Sequence, residues 1–127
     1  MKAIRSISTA AAAALILLAT GSATADEKPT GIGRQMLLNK PVDLPSPNIA
    51  AKVIRVTFEA GAKTPLHTHE GPGPRYVLKG RLKVEDHGVV QVYTPGDVFW
   101  ETGAEMTVEN VGGSDAEMVI FEMAPRK

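Results

Sequence analysis

No cysteine occurs in the 127 residues. Its absence excludes a disulfide framework, a thiolate zinc site, an iron–sulfur cluster and a cysteine nucleophile. Aromatic residues are scarce, with three Phe, two Tyr and one Trp, too few for a broad base-stacking platform. Neither sign of charge dominates: 14 basic and 14 acidic side chains leave a formal net charge of +0. With no basic run either, nothing marks an electrostatic footprint for nucleic acid. Histidines number three, the last being His87. The length suffices for one domain and no more. What is left is a small domain whose chemistry rests on a few histidines, carboxylates and bases.

The first stretch has a different character. Lys2 and Arg5 precede an apolar run from Ala10 to Ala19, and small residues lead to Ala23-Thr24-Ala25 before Asp26-Glu27. A positive start, a core of about ten apolar residues and an A-x-A end are the parts of a secretory signal peptide. The run falls short of the roughly 20 residues that a membrane span needs. Residues 1–25 are therefore expected to be removed. The mature chain would then be exported to the periplasm or medium, mildly acidic, and without a membrane anchor.

Residues 26–48 are read as a flexible leader carrying a short edge strand at Arg34–Leu38, broken off by Pro41, Pro45 and Pro47. From residue 49 to 127 short apolar segments alternate with turn signals. Lys52–Phe58 alternates, with Ile54, Val56 and Phe58 on one face. Arg75–Leu78 ends at Gly80, Leu82–Glu85 at Asp86-His87-Gly88, and Val89–Tyr93 at Pro95-Gly96. Val98–Trp100, Met106–Val108 and Met118–Phe121 complete seven or eight strands. No window past residue 25 carries a 3.6-residue apolar period. The pattern predicts an all-β sandwich or barrel, of which a jelly roll can hold a pocket between its sheets.

The chemistry concentrates between Gly61 and Gly80. His67 and His69, at i and i+2 on an extended segment, face the same way, so that both imidazoles can reach one first-row metal. The alternative is a pair of exposed polar residues beside a turn.

A glycine, five residues, His67-Thr68-His69, a short loop and then Tyr76-Val77-Leu78-Lys79-Gly80 resembles the first signature of the cupin superfamily. Pro95-Gly96-Asp97-Val98-Phe99-Trp100-Glu101, with Val108-Glu109-Asn110, echoes the second. The resemblance implies a double-stranded β-helix, or jelly-roll, barrel. It further implies a divalent metal, held by two histidines and a glutamate from the first signature and a histidine from the second. Many members are dioxygenases, isomerases or sugar- and ligand-binding modules.

Two ligands of that set are missing. Gly73 stands where the glutamate is expected, and the second-signature histidine would fall near Thr107. Arg75, two residues after Gly73, shares its face, and Glu101 ends the Val98–Trp100 segment. The two are expected to meet in or at the rim of the barrel, because an unpaired buried charge is costly. The guanidinium could instead clamp a carboxylate or phosphate. Tyr76, Trp100 and Phe99 would supply apolar walls. Glu70, beside His69, faces away unless the Gly-Pro loop turns it back.

Three readings follow. In the first, His67, His69 and Glu101 hold zinc, iron, manganese or nickel in an open site. In the second, the barrel binds a small, anionic molecule without chemistry, with Arg75, Tyr76 and Trp100 as ligand contacts. In the third, the domain is accessory and forms a homodimer through residues 34–38.

Overall fold

The computed structural model describes residues 31–127, so the expected signal peptide and the first leader residues lie outside the described part. Arg34–Lys127 form one unit. Among the described residues there is no helix. The strands are β1 (Ile49–Phe58), β2 (Gly73–Lys79), β3 (Leu82–Asp86), β4 (Val89–Tyr93), β5 (Val98–Glu101), β6 (Met106–Asn110) and β7 (Ala116–Pro125). The elements expected from alternation are all present, most of them a residue or more longer. The strand expected at Arg34–Leu38 is not. That segment is extended but joins no ladder, and the three prolines that follow it remove the amide donors a ladder needs.

The strands form two antiparallel sheets, β1-β7-β2-β5 and β4-β3-β6. Period-two alternation decides what faces inward. In β7 the buried residues are Ala116, Met118, Ile120, Glu122 and Ala124; in β6 they are Met106, Val108 and Asn110. Phe58, Val77, Leu82, Val84 and Phe99 join these apolar residues in one core, and Tyr93 stacks on Phe99 with centroids 4.5 Å apart. Each such side chain contributes about 1.5–3 kcal/mol on burial. The result is a jelly-roll barrel with its apolar core towards one end.

Two local devices set the rim. The β3–β4 hairpin turns through His87 and Gly88, both at positive φ (51° and 75°), as a two-residue turn of the primed kind requires. Asn110 ties the β1–β2 and β6–β7 connections together, donating through Nδ2 to the carbonyls of Phe58, Glu59 and Ser114 and accepting from the Gly112 amide.

The loop between β1 and β2 is what positions the histidines. It runs antiparallel beside β6, bridging Lys63 to Glu109 and His67 to Met106. The His67 amide donates to the Met106 carbonyl (3.1 Å), and the Met106 amide returns the bond (2.9 Å). The His-x-His segment is thereby held as a short added strand at the open end of the barrel.

Candidate functional site

At that open end the inward rows turn polar. Arg75, Glu101 and Glu122 are all buried, with relative exposures of 0%, 2% and 5%. Gly73 lies opposite Glu101 across the β2–β5 pair, and Arg75 lies opposite Ile120 across β2–β7, two residues short of Glu122. His69 bridges the two carboxylates. Its Nδ1 lies 2.9 Å from Glu122 Oε2 and its Nε2 3.0 Å from Glu101 Oε2. Arg75 Nη2 reaches the same Glu101 oxygen at 2.7 Å, while its Nη1 donates to the carbonyls of Gly73 and Phe121 at 2.9 and 3.0 Å. Burial pulls the Arg75 guanidinium below its ordinary pKa, and Glu101 acts against that shift.

The cluster continues to the surface. Glu122 faces Lys52, its partner across the β1–β7 ladder, at 3.6 Å. Lys52 pairs with Glu70 (2.5 Å), and Lys127 closes on the other Glu70 oxygen (3.0 Å). The two ammonium groups hold the Glu70 carboxyl down to about 2, the Lys52 hydrogen bond being the larger cause. Glu70 therefore faces outward, away from the histidines. From Lys127 to Arg75, basic and acidic groups alternate, with His69 between Glu122 and Glu101.

The polar contacts of the pair are incomplete. Arg75 Nε and Nη2 and both Glu101 oxygens are buried without an aligned hydrogen bond, so the 2.7 Å contact is a charge–charge approach. Buried groups in this state call for a small polar occupant. The donor chemistry suits a divalent ion. Each histidine has Nδ1 engaged, His67 with the Pro65 carbonyl at 2.9 Å and His69 with Glu122. Such a partner on Nδ1 fixes the orientation of each ring, and His69 presents its Nε2 to the Glu101 carboxylate at 3.0 Å. The rings stand 5.0 Å apart at 71°. Among the described residues no three imidazole or carboxylate groups already surround one point; His67 is the member in contact with neither carboxylate.

The structure thus brings His67, His69, Glu101 and Arg75 to one place and separates two expected companions from it. Alternation sends Tyr76 and Trp100 to the outer face of the sheet, the opposite side from Arg75 and Glu101, while Phe99 enters the core. They cannot wall a barrel pocket. The second-signature position that faces inward is Met106 rather than Thr107. Glu122 was not expected, although its sequence signal exists: it interrupts the inward series Met118, Ile120, Ala124 at the same spacing. Gly73 also gains a reason. A Cβ there would stand 1.7 Å from the Phe121 carbonyl oxygen, so this backbone excludes the glutamate of the usual signature. The mouth of the site is a cavity of about 380 Å³ lined by Lys40–Asp43, His69–Pro72, Trp100 and Thr102 among others.

A family model described as cupin domain matches residues 54–122. Among solved structures, a predicted oxalate decarboxylase from Thermotoga maritima is 28% identical with a TM-score of 0.49, over 56% of this chain and 64% of that one. A cupin domain from Bordetella pertussis is 24% identical (TM-score 0.51; 64% and 88% covered). The cupin domain of a transcriptional regulator of the XRE family from Enterobacter cloacae is 13% identical (TM-score 0.55; 67% and 95%). The last two likenesses are of fold. No curated protein matches the chain.

Proposed function

From the premise that this chain belongs to the cupin domain family, we propose that it binds a small molecule at the polar end of its barrel, around a divalent transition metal (zinc, iron, manganese or nickel) held by His67, His69 and Glu101. One observation carries this reading: His67 and His69, their rings 5.0 Å apart, gather beside the buried Glu101 carboxylate, which lies 3.0 Å from His69 Nε2. When bound, the ion would supply a positive centre with open positions for a ligand. Glu122 orients His69, and Arg75 steadies Glu101 and offers a second cation to an anionic ligand. The signal-peptide pattern at residues 1–25 supports export, with a mature chain beginning at Asp26; intact mass of the protein recovered outside the cytoplasm tests that part.

A second reading dispenses with the metal. It is favoured by Arg75, whose Nε and Nη2 are buried without an aligned partner and could grip a carboxylate or phosphate in its place. Elemental analysis of purified mature protein separates the two. Under the metal reading the wild type carries about one ion per chain, His67→Ala and Glu101→Gln each abolish it, and Arg75→Ala retains it. Fewer than about one ion per ten chains, with no gain in stability on adding zinc, nickel or manganese, overturns the metal reading in favour of the second.

A further inference from the structure

The outer face of the β1-β7-β2-β5 sheet carries a second cavity, which adjoins the mouth of the histidine site through Lys40, Val42 and Trp100. Residues 35–42 cross that face as a strap and, with β2, β5 and β7 beneath, enclose a trough of about 690 Å³. Its volume lies in the range of small-molecule sites, and its walls are mostly apolar. Leu38 and Val42 come from the strap, and Tyr76, Trp100, Phe121 and Met123 from the sheet. The strap is held lightly. It joins no ladder, and among residues 34–45 every side chain but Leu38 is exposed. Phe121, beneath it, is 41% exposed although it is a large apolar residue in a central strand.

One charged residue lines the trough, Lys40. Its ammonium lies 5.7 Å from the centroid of the Trp100 ring, and among the described residues no carboxylate stands within ion-pair distance of it. A mostly apolar trough with one cation in its wall, beside an aromatic face, is complementary to a molecule with an apolar body and one negative head. We propose that this trough binds a small amphipathic carboxylic acid, its chain against Tyr76, Phe121 and Met123 and its carboxylate at Lys40. Lys40 and Trp100 also edge the mouth of the histidine site, but Leu38, Tyr76, Phe121 and Met123 line the trough alone, so substitutions there separate the two.

Trp100 is the sole tryptophan and lines both the trough and the mouth of the histidine site, so its emission reports binding, and a variant of Leu38, which lines the trough alone, locates it. Octanoate titrated into purified protein is expected to give a saturable blue shift of that emission. Acetate, which has the head without the body, is expected to give none. Octanol, which has the body without the charge, and octanoate with Lys40→Met are each expected to bind about tenfold more weakly, the scale of a hydrogen bond to a charged group. Leu38→Asp, in the strap and outside the core, should abolish the shift while the far-ultraviolet dichroism stays unchanged. The proposal is overturned if octanoate gives no saturable shift, or if octanol binds as tightly as octanoate. Sedimentation showing a stable dimer whose Trp100 emission ignores octanoate overturns it in favour of a second copy as the occupant of this face.

Discussion

Arg75 and Glu101 depend on each other more than on any other side chain. Each is buried, and each would be left as an uncompensated charge by loss of its partner, a cost of about 3–5 kcal/mol. Glu101→Gln is therefore expected to lower stability by that order in urea denaturation. The double variant Arg75→Met/Glu101→Gln should lose less than the two single variants summed, since it leaves no charge stranded. Gly73 makes a different demand. With a Cβ placed 1.7 Å from the Phe121 carbonyl, Gly73→Ala must push β2 away from β7 or fail to fold. We expect a fall in thermal midpoint larger than that of an exposed Gly88→Ala, with metal or ligand binding impaired as well because Glu122 moves with β7. A midpoint equal to that of the wild type would show that the ladder yields freely there.

At the scale of elements, the loop before β2 is fastened at both ends. The β6 ladder holds His67, and the Lys52–Glu70–Lys127 contacts hold the residue after His69. Glu70 sits well below the pKa of about 4.3 expected of it in an unfolded chain. Its folded value is depressed, so its contribution is present above the unfolded pKa and is lost as pH falls towards about 2. The difference in thermal midpoint between wild type and Glu70→Gln should be constant near neutrality, shrink below about pH 4, and shrink also in high salt because the groups are exposed.

How far such elements could be read beforehand follows from periodicity. The strands were legible because a period of two survives in β2, β3, β5, β6 and β7, and the meeting of Arg75 with Glu101 follows from placing each on an inward face. The same rule, carried one residue further, would have sent Tyr76 and Trp100 outward; treating neighbouring aromatics as walls of one pocket overrode it. Glu122 was hidden because a single carboxylate in a terminal apolar series reads as a solvated strand end. Only the pairing of β7 between β1 and β2, a long-range fact, turns it inward. The strap was misjudged for the converse reason: Met36, Leu37 and Leu38 have strand composition, but the backbone there finds no edge to pair with.

For the molecule as a whole, the order β1-β7-β2-β5 places the strand nearest the end of the sequence at the centre of one sheet. β1 pairs with β7 along ten residues and has no other neighbour in that sheet. A truncation ending at Ser114 should therefore abolish cooperative thermal unfolding altogether rather than lower its midpoint; a sharp transition in that fragment would mean that β4-β3-β6 and its loop fold alone. The arrangement also fixes an order in time. While the chain is being synthesised, β1 and the β2–β5 pair must wait for residues 116–125, the strand that joins β1 to β2, and contacts so distant along the chain close slowly. His69 and Glu101 are made earlier but acquire Glu122 last. A ribosome-bound or freshly released chain thus has its histidine pair without the carboxylate that orients it, and the polar cluster at the barrel mouth is complete only when the final strand has slotted between two older ones.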